Sequence, residues 1–331
     1  MTDPVALEFV DSLYLRPTVP FNFRHTLWKP SHFHTGLEQH SSNASWRTFR
    51  IGDKLCGLVM AMTSVGTLQL DVYSTPTWTP QNTALLTRRV THAYGLDEDL
   101  TEFVQLASSS GAMVRSLELF AGMRQSCPEN LFEIAIISLL LQNATISRTT
   151  QMMNNLLSHY GKEVTFDGVT LRTFFTPKEI ALVTEEQLRE VDRLGYRAKY
   201  IGRFAEFFLE HDPDLFETTD RESLIAKFQT IKGVGPYTAA IITSHAVRDH
   251  SVIGLDVWNR KILARKLLGM NDTESEVVRA ELSRLFPGWE GLAGLYLVEE
   301  EYVENPASRL CEDLHSRPKT AHRPSRSAKD Q

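Results

Sequence analysis

The sequence is poor in cysteine and has no long hydrophobic run. Its three cysteines, Cys56, Cys127 and Cys311, are too few and too far apart for a disulfide framework, a paired-cysteine zinc site or a four-cysteine iron–sulfur cluster. We therefore expect a reducing, intracellular environment. No apolar stretch approaches the roughly 18 residues of a membrane-spanning helix, and the first residues do not resemble a secretory signal, so no membrane association is expected.

The sequence also has no overall excess of basic residues. Acidic residues outnumber basic ones by 41 to 35, which by itself argues against a polyanionic partner. The segment 221–270 differs, because it contains eight basic and three acidic residues. Attraction to a phosphate backbone depends on such local patches more than on the net charge. The segment therefore indicates either a nucleic-acid-binding surface or a solvated helical face.

The hydrophobic pattern changes along the chain. Between residues 20 and 75, short runs of alternating polarity are separated by Gly, Pro, Ser and Asn, which is typical of antiparallel strands. From about Leu85 the apolar period becomes helical, and residues 130–141 are apolar nearly all round, as in a helix at the centre of a bundle. We predict an α+β protein with a small N-terminal antiparallel sheet domain (1–110), an all-helical domain (111–305) and a basic, disordered C-terminal tail (306–331).

The segment FQTIKGVGPYTAAIITSHAV predicts two helices joined by a short turn. Gly233 and Gly235 allow a tight turn and the close approach of a partner, and Pro236 suits the first turn of the second helix. The free N–H groups at the start of that helix form a site for a phosphate. A nucleotide-binding glycine loop is not indicated, because a helix precedes the glycines and no GK[ST] follows them. Asp256 then precedes another amphipathic helix.

With these segments the chain resembles the helix-hairpin-helix (HhH-GPD) superfamily of base-excision DNA glycosylases, in particular its AlkA-like and 8-oxoguanine branches. The resemblance covers about residues 115–303 and depends on LGYRAKYI at 194–201, the hairpin, and VIGLDVWNRKIL at 252–263. It implies that the helical domain is a helix-hairpin-helix glycosylase body preceded by the family's sheet domain. It also implies a monomer acting on double-stranded DNA that contains a damaged base, upstream of an abasic-site endonuclease. Such a protein works in the bacterial cytoplasm and nucleoid or in the eukaryotic nucleus.

The resemblance makes Asp256 the catalytic residue. Breaking an N-glycosidic bond develops positive charge on the deoxyribose, which a nearby carboxylate stabilises while it orients or deprotonates water. Asp is also a common helix N-cap, and the two roles are compatible. Bifunctional members carry a Schiff-base lysine at the position of Tyr237, so the resemblance implies a monofunctional enzyme without lyase activity. Tyr237 and Trp258 are the candidates for the base pocket.

The resemblance also predicts the residues that contact DNA. Asn143 matches the residue that fills the gap left by a flipped nucleotide, where AlkA-like enzymes carry an apolar side chain. With Arg148 and Arg197, it matches the trio that reads the opposing cytosine in 8-oxoguanine glycosylases. Surface salt bridges or phosphate contacts are the alternative for the two arginines. The other predicted contacts lie on the hairpin and its second helix: Lys232, Gly233, Val234, Gly235 and Thr238.

No cofactor is expected to be required. In this family, backbone carbonyls at the positions of Gln229, Ile231 and Val234 can hold a monovalent cation, so the resemblance implies a structural Na⁺ or K⁺ at the hairpin. His32 and His34 have the spacing of a ligand pair. With no carboxylate or cysteine near them in the sequence, we interpret them as alternating strand residues rather than metal ligands.

These observations support three hypotheses for the function. The first is a monofunctional DNA glycosylase that flips an alkylated purine of the 3-methyladenine type out of duplex DNA and releases it by hydrolysis. The second is an 8-oxoguanine-type DNA glycosylase that reads an opposing cytosine. The third is a non-catalytic helix-hairpin-helix protein that binds DNA or senses damage and uses the hairpin only for phosphate contact.

Overall fold

The N-terminal part of the chain forms the antiparallel sheet that its alternating pattern predicts. The computed structural model describes residues 3–32, 34–211 and 220–305, so the predicted tail at 306–331 lies outside the described residues. Within them, five strands pair in the order β2-β6-β5-β4-β3 and three in the order β1-β7-β8. The strands are β1 (Val5–Ala6), β2 (Glu8–Leu15), β3 (Glu38–His40), β4 (Ala44–Ile51), β5 (Lys54–Met62), β6 (Leu68–Ser74), β7 (Glu163–Phe166) and β8 (Val169–Arg172).

The helices follow the sheet and make up most of the remaining described chain. Two single turns of 3-10 helix, at 111–113 and 195–197, interrupt the series. The helices are α1 (Phe23–Leu27), α2 (Pro80–Tyr94), α3 (Thr101–Ser108), α4 (Val114–Phe120), α5 (Leu131–Leu141), α6 (Ile146–Tyr160), α7 (Pro177–Ala181), α8 (Glu185–Glu190), α9 (Ala198–Glu210), α10 (Arg221–Gln229), α11 (Pro236–Val247), α12 (Val257–Leu268), α13 (Ser275–Leu285) and α14 (Glu290–Glu304).

The five-stranded sheet buries one face against α2. In β6, Leu68, Leu70 and Val72 are fully buried and alternate with partly exposed polar residues, as the two-residue period of a strand requires. Helix α2 starts at a capping box formed by Thr79 and Asn82, with Pro80 at its first position. Burial of this face supplies the hydrophobic core of the sheet domain.

A β-hairpin within the helical domain is the main feature that the sequence analysis did not predict. Strands β7 and β8 form this hairpin, and β1 adds to it in parallel through the pairing of Val5 with Val164. Phe166 of the hairpin packs directly on Gly57 in β5. The hairpin therefore ties the helical domain to the sheet.

The helical domain has two hydrophobic clusters. One surrounds α5, whose nearly all-round apolar sequence predicts a central position, and includes residues of α6, α9, α10 and α11. The other joins α3 and α4 to α12, α13 and α14. Helix α3 thus packs with the C-terminal helices, although the predicted domain boundary at residue 110 assigns it to the sheet domain. That boundary stays a prediction. The α+β fold class is confirmed, and none of the helices in the described ranges is long and apolar enough to cross a membrane.

We expect Gly57→Ala to lower the free energy of unfolding by about 1–3 kcal/mol, the usual effect of overpacking a core. A Cβ atom at this position would lie 2.6 Å from the Phe166 ring and would push the hairpin from the sheet. Urea unfolding measures the effect. Gly111→Ala is the matched control, because a Cβ there meets open space. Equal stability of the two variants would contradict the proposed tie.

Candidate functional site

The two helices predicted around the glycine turn are present. Helix α10 is capped by Asp220, which accepts a hydrogen bond from the Ser223 N–H at 3.0 Å. Gly233 has φ +100°, a conformation that favours glycine, and any Cβ there would collide with the ring of Tyr200. The Lys232 carbonyl accepts a hydrogen bond from Arg203 at 2.6 Å. Tyr200 and Arg203, both on α9, therefore hold the turn in place.

The start of α11 is open for an anionic ligand. Gly235 is its N-cap residue and has no side chain that could bond to the first N–H groups. The next residue, Pro236, has no N–H. The first N–H groups of a helix have no acceptor within the helix, so they and the helix dipole favour a phosphate here.

Asp256 is the helix N-cap that the sequence allows, while its catalytic role stays a prediction. Its Oδ1 accepts a hydrogen bond from the Asn259 N–H at 2.7 Å, which makes it the N-cap of α12. The Asn259 side chain in turn donates to the Gly254 carbonyl at 3.3 Å, which closes the turn before the helix. Asp256 is exposed and lines a cleft. One carboxylate oxygen thus holds the helix end while the group faces open space.

The cleft has a volume of about 1490 Å³ and lies between the helical domain and the segment that leads into β3. Tyr237 and Trp258 also line it, with 54% and 48% of their surfaces exposed. Partial burial and the negative charge of Asp256 raise the pKa of Tyr237. A Cβ on Gly254 would lie 2.6 Å from the Tyr237 hydroxyl, so this ring lies over bare backbone. The predicted catalytic and base-pocket residues therefore share one cavity.

Asn143 and Thr238 line the same cleft. Asn143 lies in the turn that follows α5, and buried hydrogen bonds hold this turn. Asn143 follows α5 with φ +47°, a left-handed conformation that asparagine tolerates. The side chain of Gln142 donates to the Thr238 hydroxyl at 3.2 Å. Arg197 is buried and donates to the carbonyls of Leu139, at 3.2 Å, and Gln142. Arg197 thus fixes the turn that presents Asn143.

The arginine predictions for DNA contact have no support in these positions. Both arginines bond within the protein. Arg197 bonds to the carbonyls named above, and Arg148 donates to the Gln151 side chain at 2.5 Å and to the Arg193 carbonyl. Contact of either arginine with DNA stays a prediction. Lys232, Gly233, Val234 and Gly235 do not line the cleft and lie on the hairpin, where the phosphate contact is expected.

The hairpin carbonyls retain capacity for a cation. The Ile231 carbonyl accepts a hydrogen bond from the Val234 N–H at 2.9 Å, which uses one of its two lone pairs. The side chains of Ile231 and Val234 are buried, while Gln229 is exposed. This geometry fits a monovalent ion, which stays a prediction.

The basic segment 221–270 is largely neutralised by the fold. Lys227, Lys232 and Lys261 form none of the ion pairs found in the described parts of the chain. The five basic residues of the segment that do pair with carboxylates, some far away in the sequence, are Arg221, Arg248, Arg260, Arg265 and Lys266. The attraction for DNA therefore depends on fewer charges than the sequence suggests.

The cleft has a polar wall that the sequence analysis missed. His245 Nδ1 lies 2.9 Å from the Ile241 carbonyl, which can only accept, and burial lowers the His245 pKa to about 4. The ring is therefore neutral with its proton on Nδ1, so Nε2 accepts from the Gln125 amide at 2.8 Å. The side-chain carbonyl oxygen of Gln125 is left as an acceptor for a ligand. Gln125 and His245 are 120 residues apart, so no local pattern indicates this pair.

Two other walls come from opposite ends of the chain. Ser31 donates through its N–H, at 2.7 Å, and its hydroxyl, at 2.5 Å, to the buried Glu299, which also pairs with Lys29 at 3.6 Å.

The strand interpretation of His32 and His34 is wrong, since both lie in the loop before β3. Helix α1 ends at Leu27, and the strand begins only at Glu38.

Comparison with known proteins identifies the family. Residues 136–288 match the HhH-GPD superfamily of base excision DNA repair proteins. This segment of the chain belongs to the HhH-GPD superfamily. It is 24% identical over 218 residues to a probable N-glycosylase/DNA lyase of Methanothermobacter thermautotrophicus, and this similarity covers 60% of the chain and 69% of that protein. The predicted family is therefore confirmed for this part of the chain, and the matches support the predicted DNA glycosylase.

Solved structures show the same fold over nearly the whole chain. The 3-methyladenine DNA-glycosylase of Archaeoglobus fulgidus has a TM-score of 0.72 at 17% identity, covering 89% of this chain and 99% of that one. The 8-oxoguanine glycosylase/lyase of Clostridium acetobutylicum, solved with double-stranded DNA containing cytosine opposite 8-oxoguanine, has a TM-score of 0.69 at 17% identity. The match covers 90% of this chain and 98% of that one. These HhH-GPD structures share the fold but differ in their substrates.

We expect Gly233→Ala to destabilise the protein and to weaken its binding to duplex DNA, because the turn cannot keep its conformation against Tyr200. Gly235→Ala tests the approach of DNA separately, since a Cβ there meets open space within the protein. It should lower the free energy of unfolding by about 1 kcal/mol, the usual cost of alanine at a helix N-cap, and it should also weaken binding. Gly202→Ala, on α9, is the control for both. Fluorescence anisotropy and urea unfolding measure the two effects, and unchanged DNA affinity in both hairpin variants would contradict the phosphate site.

Proposed function

We propose that this HhH-GPD protein is a monofunctional glycosylase that releases an alkylated purine of the 3-methyladenine type from double-stranded DNA. The observation that carries the proposal is the shared cleft of Asp256, Tyr237 and Trp258 at the N-terminus of α12. A flipped nucleotide would enter this cleft, while the hairpin binds the backbone through its N–H groups. Asn143 would occupy the vacated space in the stack.

Asp256 would act on the sugar of the flipped nucleotide. As the glycosidic bond breaks, its electrons leave with the base and positive charge develops on the deoxyribose. A carboxylate next to this charge lowers the barrier and holds the water that attacks the sugar. Because the Asn259 N–H fixes Oδ1, the carboxylate needs little reorganisation in the transition state.

The aromatic walls favour a cationic base. An alkylated purine that carries positive charge interacts favourably with the face of a Tyr or Trp ring, and it is already a good leaving group. Tyr237 and Trp258 are both about half exposed in the cleft and offer such surfaces. A single carboxylate then suffices without a dedicated general acid.

The side chains around the cleft support the proposed absence of lyase activity. The residue at the Schiff-base position is Tyr237, which has no amine. Among the described residues that line the cleft, the only lysine is Lys29, and it pairs with the buried Glu299. An ammonium group held in an ion pair is a poor nucleophile, because its nitrogen has no free electron pair. The abasic product would pass to a separate endonuclease.

The second candidate is an 8-oxoguanine-type activity. It is favoured by Asn143 at the cleft and by the side-chain carbonyl of Gln125, an acceptor that suits the N–H groups of a neutral oxidised purine.

With either activity, the proposal also includes a monomeric state, an intracellular location and a hairpin cation held by the carbonyls of Gln229, Ile231 and Val234. Such a cation would bridge the hairpin to a DNA phosphate.

Asp256→Asn should lower the rate of base release by about 10²–10³-fold, because the charge that stabilises the transition state is removed. Asn caps helices about as well as Asp, so stability and DNA affinity should change little. Single-turnover assays of base release and anisotropy measure the two properties. Asp272→Asn is the control, since that carboxylate pairs with Arg260 outside the cleft. Undiminished base release by Asp256→Asn would overturn the assignment.

Duplexes containing 3-methyladenine or 8-oxoguanine should separate the two candidates. We expect release of the alkylated base, and strand breaks only after alkali treatment, because no amine is placed to form an imine. Release of 8-oxoguanine alone would favour the second candidate. Strand breaks without alkali, together with borohydride trapping, would contradict the monofunctional assignment, and Lys29→Ala would show whether Lys29 is responsible. A folded protein that binds DNA but releases no base would instead support a non-catalytic role.

A further inference from the structure

A cluster of two histidines and a glutamate lies at the edge of the sheet. Glu38 and His40 are two residues apart on β3, so their side chains point to the same side of the strand. His32 reaches them from the preceding loop. One ligand atom from each of the three side chains lies within 4.8 Å of the others. The interaction between His32 Nε2 and Glu38 Oε1 is a close contact, and His40 Nε2 lies 3.6 Å from Glu38 Oε2.

The three side chains are largely buried, and one nitrogen among them has no hydrogen bond. The side chains of His40 and Glu38 are 4% and 5% exposed, and that of His32 is 15% exposed. His40 Nε2 is buried and has no hydrogen-bond partner among the described residues. This nitrogen lies 3.6 Å from Glu38 Oε2, beyond hydrogen-bond distance, so a closer partner would stabilise it.

The two carboxylate oxygens of Glu38 have different partners. Arg47 takes Oε2 at 3.0 Å and also bonds to Glu133 at 3.1 Å. Arg47 is thus anchored by a second carboxylate, and Oε1 is the oxygen shared with His32.

We propose that His32, Glu38 and His40 form a binding site for a divalent transition-metal ion of the zinc class. Two imidazoles and one carboxylate are a common ligand set for Zn²⁺, with water in a fourth position. Imidazole nitrogens disfavour Mg²⁺ and Ca²⁺, which prefer oxygen ligands. An ion about 2.0–2.2 Å from each ligand atom requires the His32 ring to move out of direct contact with Glu38, a small change for a loop residue.

The ion would stabilise one wall of the cleft. His32 and Glu38 line the cleft together with Lys29 and Ser31 from the same loop. The Trp28 ring packs on His40, with 4.7 Å between the ring centroids. A metal bond from His32 to β3 would therefore cross-link the loop that carries Lys29 and Ser31 to the sheet edge. The site is separate from Asp256 and does not depend on the proposed function.

Metal analysis of the full chain, purified without a polyhistidine tag, tests the proposal. We expect about one zinc per chain after dialysis against metal-free buffer. Titration of the chelator-treated protein with Zn²⁺ should raise the melting temperature, because an ion that binds only the folded state stabilises it. Co²⁺ in place of zinc should give the visible absorption of a low-symmetry site with nitrogen and oxygen ligands.

His32→Gln and His40→Gln should each weaken Zn²⁺ binding at least about 10-fold in competition with a chromogenic chelator, since each loses a ligand. His159→Gln is the control, because His159 pairs with Asp192 away from the cluster. Two results would overturn the proposal. One is a zinc content far below one per chain with no saturable binding, and the other is a Zn²⁺ affinity of both ligand variants equal to that of the unsubstituted chain. If the variants do not fold, the zinc content and cobalt spectrum of the unsubstituted chain decide. Both readouts are independent of base release.

Discussion

The structure depends on one carboxylate that has to meet two demands at once. Asp256 must hold the end of α12, and it must present negative charge to the cleft. Both are met because the hydrogen bond from the Asn259 N–H uses a single oxygen at 2.7 Å. The dipole at the N-terminus of α12 also interacts favourably with the negative charge of this side chain. A carboxylate placed in mid-helix would have neither advantage.

Three helix ends surround this carboxylate, and their polarities differ. The N-termini of α11 and α12 present positive partial charge, which suits a DNA phosphate and the Asp256 anion. The C-terminus of α5 presents negative partial charge, and the buried guanidinium of Arg197 neutralises it by bonding to the last carbonyls. Without Arg197, those carbonyls would keep only the hydrogen bonds from the Gln142 N–H to Leu139, at 3.3 Å, and from the Tyr196 hydroxyl to Gln142, at 3.2 Å. The arginine that the sequence suggested for base reading thus stabilises the turn from behind.

The predictable parts of this fold are those encoded within a short stretch of sequence. The hairpin glycines, the Asp256 cap and the all-round apolar α5 each depend on residues within one or two helical turns, and the structure contains all three. Features that join distant residues left no local signal. Strand β1 pairs with a hairpin about 160 residues later, and the ion pairs that neutralise the basic segment reach as far as Glu98. Local charge counting cannot anticipate such pairs, because each partner alone resembles an ordinary surface residue.

The same reasoning indicates where the choice of lesion must arise. Both branches that the chain resembles combine a hairpin with an aspartate, so these features stabilise any sugar cation and do not distinguish one base from another. In the proposed function, discrimination would come from groups that contact the base edge. The cleft offers polar groups from distant segments for this: Ser31 from the loop before β3, Gln125 oriented by His245, and Glu299 from α14. Lys29 and Ser31 attach this loop to α14 through Glu299. A bond that anchors it at β3 would therefore act on specificity more than on the chemical step at Asp256.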